Sequence, residues 1–135
     1  AAVRRHYFPD GGGSERSAPH AAALPAYVMF VTDGGTSDQP LTERQLRWSS
    51  REPIFWQFMG IGKGRKSRSK RLAAFADSDF PFLEKLDDLD GRLVDNADFF
   101  AVSHPDEHSD ADLYDLLMTE YPGWLSQARR HGLLP

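Results

Sequence analysis

One aspartate lies where a cation-binding carboxylate is expected. Asp33 comes just after the apolar run Tyr27–Val31 and precedes the loop Gly34–Asp38, which holds two glycines, a threonine, a serine and a second aspartate. Mg²⁺ takes oxygen ligands in proteins, commonly one or two carboxylates together with water molecules. Asp33 is therefore a candidate metal ligand. A turn in which Asp33 caps the backbone and the glycines supply unusual dihedral angles is the alternative, and spacing alone favours the turn.

A second candidate is the loop GIGKGRKS, residues Gly60–Ser67, which follows another apolar run. A phosphate-binding P-loop needs a glycine immediately before its Lys-Ser pair, and Arg65 occupies that position here. The basic segment Lys63–Arg71 carries charge that attracts polyanions, but it contains no aromatic residue on which a base could stack. A phosphate- or nucleotide-binding fragment therefore stays an alternative function, beside the simpler interpretation of a solvated basic loop.

The other polar clusters match no established site. The four aspartates within Asp87–Asp95 lack the glycine and glutamate positions of an EF-hand calcium loop. His104 and His108 have the spacing of zinc ligands on a helix, but Pro105 lies between them and no HExxH is present. The chain has no cysteine and no GxSxG motif. No sequence motif therefore identifies a catalytic nucleophile together with its base and the group that orients the base. We predict no catalytic residues and no enzyme activity.

Composition is that of an ordinary globular domain. The chain has 135 residues, of which 40% are hydrophobic and 27% charged, and this length fits one domain. No apolar stretch approaches the roughly 20 residues that a membrane-spanning helix needs. The sequence shows no secretory signal, and the absence of cysteine is compatible with a reducing cytoplasm, where we expect the protein. The formal net charge of −4 by itself indicates no partner.

Two apolar runs flank a helix-start signal. Tyr27–Val31 is rich in β-branched and aromatic residues and is bounded by turn residues, which is typical of a buried strand. Thr42 and Gln45 have the spacing of a capping box, so a helix is predicted from about Glu43 to Ser50. A second buried strand is predicted after Pro53, in the run PIFWQFMGIG. Strand, helix and strand in this order indicate two parallel strands.

Further elements follow the basic segment. The run Asp95–Val102 is predicted as a third strand. Ser109 is a suitable N-cap for a helical region with one apolar face, which Pro122 interrupts and Gly132 ends. Together these elements predict an α/β fold with an open, mostly parallel sheet.

The N-terminal part has a different composition. Residues 1–26 contain a GGGS run and three prolines, and they lack sustained periodicity. We predict a linker or disordered segment there, with a short helix around Ala1 to Tyr7, and a folded portion over residues 27–135.

Four stretches together resemble a known family. These stretches are YVMFVTDGG, PIFWQFMGIG, FLEKLDDLDGRLVDNADFF and LYDLLMTEYPGWLSQARRHGLL. They are similar to the C-terminal half of a von Willebrand factor A (VWA) domain, and more narrowly to the version in bacterial tellurium-resistance (Ter) proteins of the TerF type. The resemblance covers about Leu24 to Leu134 and implies a doubly wound sheet with helices on both faces.

The resemblance also implies a metal-ion-dependent adhesion site. In the family this site combines a DxSxS motif, a threonine from a second loop and an aspartate from a third loop, and Asp33 of TDG matches the last position. No DxSxS occurs in the sequence, so the resemblance implies an incomplete site for Mg²⁺ or another divalent cation. A missing N-terminal half, or a degenerate domain without metal, would each account for this.

The function implied by the resemblance is binding of a protein partner without catalysis, in the bacterial response to tellurite or other toxic agents. Partners would be other Ter-family proteins or the missing N-terminal half of the domain, while membrane and nucleic acid are not expected. If the preceding strands of the family are absent, one sheet edge exposes backbone groups and apolar surface. The isolated chain should then oligomerise, swap or pair with the missing half.

Overall fold

Three strands and four helices have defined bounds in the computed structural model, which describes residues 1–11, 14–32, 39–61, 82, 85–86, 89–102 and 109–135. The strands are β1 (Ala26–Thr32), β2 (Ile54–Ile61) and β3 (Ala97–Val102). The helices are α1 (Ala2–Tyr7), α2 (Gln39–Ser49), α3 (Asp110–Leu117) and α4 (Tyr121–Arg130). All three predicted strands and the short N-terminal helix are therefore confirmed.

The three described strands form an open, parallel sheet in the order β1-β2-β3. Thr32 at the end of β1 lies opposite Gly60, and Ile61 at the end of β2 lies opposite Val102. The carboxyl ends of the three strands consequently meet at one edge of the sheet, which we call the carboxyl edge. In the part of the chain that the structure describes, β1 has a neighbouring strand on one side only.

Each face of the sheet carries its own apolar core. On the α2 face, Leu46 packs with Phe58 and Phe99 in a cluster that also includes Phe82, Leu86, Leu89 and Ala97. On the α4 face, Trp124 and Ala128 pack with Phe55, Val94, Leu133 and Leu134. This arrangement follows from the period-two alternation of a strand whose two sides are both apolar. The predicted α/β fold with helices on both faces is confirmed.

The helix after β1 begins earlier than predicted. It starts at Gln39 rather than Glu43, so Thr42 lies inside α2 and is not its N-cap. Pro40 explains the difference, because proline in the first turn of a helix has a preset φ and needs no hydrogen-bond acceptor for an N–H group. The capping-box pattern at Thr42 and Gln45 was therefore misleading.

The C-terminal helices match the sequence pattern closely. Ser109 caps α3 by accepting a hydrogen bond from the backbone N–H of Asp112, as predicted. The expected interruption produces two helices, and Pro122 lies in the first turn of α4 rather than at a kink. Gly132 follows α4 with a φ of 76°, a left-handed conformation that favours glycine.

A buried aromatic ring and a buried charge cluster are among the contacts between the N-terminal segment and the rest of the fold. Phe8 is buried against Ala26 and Ile54 at the start of β1 and β2. Arg4 is fully buried, and its guanidinium donates two hydrogen bonds to the carboxylate of Glu52, at 2.7 and 3.1 Å. The assignment of residues 1–26 to a linker stays a prediction, but Arg4 and Phe8 are packed parts of the structure.

Candidate functional site

The carboxyl edge is the part of the sheet where a ligand is expected. In open parallel sheets, ligands bind beyond the carboxyl ends of the strands, where backbone turns and helix N-termini converge. Thr32, Gly60 and Val102 lie at this edge. The predicted metal ligand Asp33 is the next residue after β1, and it lies outside the described residues, as does the loop Gly34–Asp38.

The structure describes only some of the other residues that the sequence offered as candidate site residues. Of the loop GIGKGRKS, Gly60 and Ile61 belong to β2, whereas residues 62–67 lie outside the described residues. His104, His108, Asp87 and Asp88 lie outside them as well. The phosphate-binding and zinc-like interpretations of these segments therefore stay untested.

The two described aspartates of the acidic stretch lie at turns beside arginine side chains. Asp90 is 97% exposed and lies 3.5 Å from the guanidinium of Arg47, while Asp95 pairs with Arg92 at 3.1 Å. Within the described ranges, no three His, Cys, Asp or Glu side chains are grouped so that they could hold a metal ion. The described helices include none that is long and apolar enough to cross a membrane.

A buried polar pair lies in the middle of the sheet on the α4 face. Gln57 is fully buried, and its side-chain amide nitrogen is 3.3 Å from both the carbonyl oxygen and a carboxylate oxygen of Asp98. Asp98 is only 4% exposed. Sequence reasoning missed this pair, although a glutamine and an aspartate within two otherwise apolar strands were the signal.

Tyr27 lies on the same face, beside this pair. Its hydroxyl donates a 2.8 Å hydrogen bond to the carbonyl oxygen of Leu117, which ties β1 to the end of α3. Burial, with smaller contributions from Asp98 and Tyr121, raises the pKa of Tyr27 to about 12. The phenol is therefore neutral at physiological pH and acts as a hydrogen-bond donor.

The free side of β1 exposes three consecutive apolar residues. Met29 is 43% exposed, and Phe30 and Val31 are each 52% exposed. Successive strand residues point to opposite faces, so Met29 and Val31 extend the α4 face while Phe30 extends the α2 face. Phe30 also contacts Phe58 of β2, with ring centroids 6.0 Å apart. The prediction of exposed apolar surface along one sheet edge is confirmed for the described residues.

Comparison with known proteins supports a single family. The family model vWA-TerF-like, described as the vWA found in the TerF C terminus, matches residues 14–134. "Uncharacterized protein YcbR" of Bacillus subtilis (strain 168) is 39% identical over 115 residues, which are 84% of this chain and 40% of that relative. The chain thus spans less than half the length of this relative. No solved structure matches the chain.

Proposed function

Because the chain belongs to the TerF-like group of von Willebrand factor A domains, we propose that it is a non-enzymatic protein-binding module whose contact depends on a divalent cation when the domain is complete. The observation that supports this most is the shared carboxyl edge of the three parallel strands. Asp33 is the next residue in the sequence after the first of these strands, and open parallel sheets bind ligands beyond the carboxyl ends of their strands.

Asp33 would hold Mg²⁺ or its water molecules, and the loop Gly34–Asp38 would frame the contact with the partner. A divalent cation would supply a positive charge with an open coordination position, which an acidic side chain of the partner could fill. The described residues include no ligand set of their own, and one carboxylate binds Mg²⁺ weakly because the ion gives up its water reluctantly. Because the sequence contains no DxSxS, we propose that the ligands which this motif supplies in the family come from outside these 135 residues.

The biological setting proposed is the bacterial response to tellurite or other toxic agents in the cytoplasm. The support for this setting is the TerF-like family assignment. Other Ter-family proteins are accordingly the first candidates for the partner, and we propose neither a membrane nor a nucleic acid as a partner.

The experiment is a binding assay with the chain immobilised and purified Ter-family proteins of the same bacterium applied one at a time. Binding should require millimolar Mg²⁺, disappear in EDTA and weaken about tenfold or more in Asp33→Ala, a loss of at least about 1.4 kcal/mol. Asp90→Ala is the matched control, because this carboxylate is 97% exposed at a turn that precedes β3.

Two outcomes would contradict the proposal. Binding of equal strength in Mg²⁺ and in EDTA would show that the contact does not depend on a divalent cation. Nucleotide binding that is lost when Arg65 and Lys66 are both changed to Gln, but kept in Asp33→Ala, would favour the phosphate-binding alternative instead.

A further inference from the structure

We propose that the amino ends of the strands form a second contact surface, which binds an extended acidic peptide segment of a partner protein. We call this end of the sheet, where Ala26, Ile54 and Ala97 begin the three strands, the amino edge. It lies opposite the carboxyl edge, and its contact needs no divalent cation. The inference is therefore independent of the function proposed above.

Backbone hydrogen bonds bring distant segments together at the amino edge. The N–H of His20 donates to the carbonyl oxygen of Arg51 at 2.8 Å, and the N–H of Ala22 donates to that of Leu133 at 3.1 Å. Two residues of extended chain span at most about 7 Å, so these two carbonyl oxygens lie within about 13 Å of each other. The segment before β2 and the C-terminal segment are consequently neighbours.

The carboxyl end of α4 brings two arginines to this place. The N–H of Gly132 donates to the carbonyl oxygen of Arg129 at 3.2 Å, and the N–H of Leu133 donates to that of Ala128 at 2.9 Å. This turn holds the end of α4, with the exposed side chains of Arg129 and Arg130, directly beside Leu133. A helix end carries only about half a negative charge, which two guanidinium groups more than offset.

Helix α1 and the segment before β2 each contribute one more arginine. The guanidinium of Arg4 donates to the carboxylate of Glu52 at 2.7 Å, and the next residue along from Arg4 and the residue before Glu52 are Arg5 and Arg51. Phe8, directly after α1, is packed at the start of β1 and β2. Arg5 is exposed and Arg51 is partly exposed. We call Arg5, Arg51, Arg129 and Arg130 the edge arginines.

The edge arginines carry charge that is not neutralised within the described ranges, where none of them has an acidic partner. Neighbouring arginines are paired: Arg4 and Arg16 share the buried carboxylate of Glu52, and two others pair with aspartates at the turn before β3. The N-terminal segment also has exposed carboxylates at Asp10 and Glu15, which lower the net positive charge without forming an ion pair in the described part. The amino edge is thus a positive surface on a chain whose formal net charge is −4.

The placement of these charges favours an extended ligand. Arg4 donates to Gln45 of α2, so α1 lies on the α2 face of the sheet, whereas α4 covers the other face. Helices on opposite faces of a sheet are separated by more than one helix diameter, about 10 Å, so a small anion cannot contact both. An extended peptide of about ten residues spans about 33 Å and can reach all the edge arginines.

Carboxylates on a short segment suit this surface better than a nucleic acid does. A guanidinium donates two parallel hydrogen bonds to one carboxylate, which gives each contact a defined geometry. The net charge of −4 means that the rest of the surface repels a long polyanion, whereas a short acidic segment contacts the positive edge alone.

The test measures binding of the full chain to a fluorescein-labelled peptide of about ten residues, in which glutamate alternates with serine, by fluorescence anisotropy in EDTA. A peptide with glutamine in place of glutamate is the control ligand and should not bind. Arg5→Gln, Arg129→Gln and Arg130→Gln should each weaken binding of the acidic peptide about two- to threefold, and about tenfold together.

Two further variants check that the effect comes from this surface. Arg44→Gln removes the same charge from an exposed position of α2 that has no ion pair in the described part of the chain, and it should change binding by less than about twofold. Asp10→Asn with Glu15→Gln removes the exposed carboxylates beside the edge and should strengthen binding about twofold or more.

Changes in the chemical shifts of backbone amides locate the contact. The acidic peptide should move the signals of Arg51 and Gly132 and leave those of Gly60 and Ile61, at the carboxyl edge, in place. Changes centred on Gly60 and Ile61 would assign the contact to the basic segment Lys63–Arg71 and overturn the proposal.

Three other results would overturn it as well. The first is equal binding of the glutamine peptide, or binding unchanged in the triple arginine variant when its urea midpoint matches that of the unaltered chain. The second is tighter binding of a single-stranded oligothymidylate of equal length that is lost in the same variant, because the partner would then be a nucleic acid. The third is a dimer mass that rises with protein concentration and disappears in this variant, because the occupant would then be a second copy.

Discussion

Removal of the buried guanidinium of Arg4 should destabilise the whole domain. The Arg4→Met variant would leave the carboxylate of Glu52, which is fully buried, with Arg16 as its remaining charged partner. It would also remove the hydrogen bonds of Arg4 to the side-chain oxygen of Gln45 (2.6 Å) and the carbonyl oxygen of Ser14 (2.9 Å). Breaking a buried ion pair typically costs about 3–5 kcal/mol. Because Arg16 stays in contact, we expect a value near the lower limit, about 3 kcal/mol.

Urea unfolding followed by circular dichroism measures this loss. With a slope of about 1–3 kcal/mol per molar urea, a loss of about 3 kcal/mol lowers the midpoint by about 1–3 M. The control is Lys85→Met, which breaks a pair with Glu43 at 3.0 Å in which the lysine is 65% exposed. This change should cost less than about 1 kcal/mol.

A second variant distinguishes the charge from the packing. In the variant with both Arg4→Met and Arg16→Met, the buried carboxylate of Glu52 loses both arginine partners; adding Glu52→Gln removes that unpaired charge, so the triple variant should be more stable than the double variant. If Arg4→Met costs less than about 1 kcal/mol, or the triple variant is less stable than the double one, the buried charge cluster does not hold the N-terminal segment to the domain.

Two further predictions concern the C-terminal helices and Tyr27, near the start of β1. Ser109→Ala removes the side-chain cap of α3 and should lower the free energy of unfolding, measured by urea titration, by about 1 kcal/mol. The control is Ser126→Ala, at an exposed site within α4, which should change the free energy of unfolding by less than about half of that. The raised pKa of Tyr27, about 12, predicts stability that is complete below pH 10 and is lost as pH rises from 10 towards 12, because the unfolded chain releases that proton first. Tyr27→Phe should flatten this part of the stability profile, and an unchanged profile would contradict the assignment.

The sequence predicted the strands well because each is a short apolar run bounded by glycine, proline or polar residues. Tyr27–Val31 and the run after Pro53 are apolar on both faces, a pattern typical of strands in a parallel sheet that is covered on both faces. Helix boundaries were less predictable. Thr42 has the residue type and spacing of a cap, yet Pro40 starts α2 before it.

Long-range polar contacts were not predictable from local patterns. Arg4 and Glu52 are 48 residues apart in sequence, and neither has a neighbouring residue that signals burial. Gln57 of β2 and Asp98 of β3 form a similar hydrogen bond between residues that are 41 positions apart in the sequence. Such pairs depend on the register of the sheet, which is set by the tertiary structure rather than by residue type. For the candidate metal site, the sequence supplies Asp33 and the structure describes the strand that leads to it.

The most direct test of the central claim is paramagnetic broadening of backbone amide signals by Mn²⁺, used in place of Mg²⁺. A strand of seven residues spans about 20 Å, so the two edges of the sheet are easily distinguished. The account predicts broadening at Gly60 and Ile61 and none at Ala26 or Ala97, with the effect lost in Asp33→Ala. Broadening centred on the turn at Asp90, or broadening that survives Asp33→Ala, would contradict it.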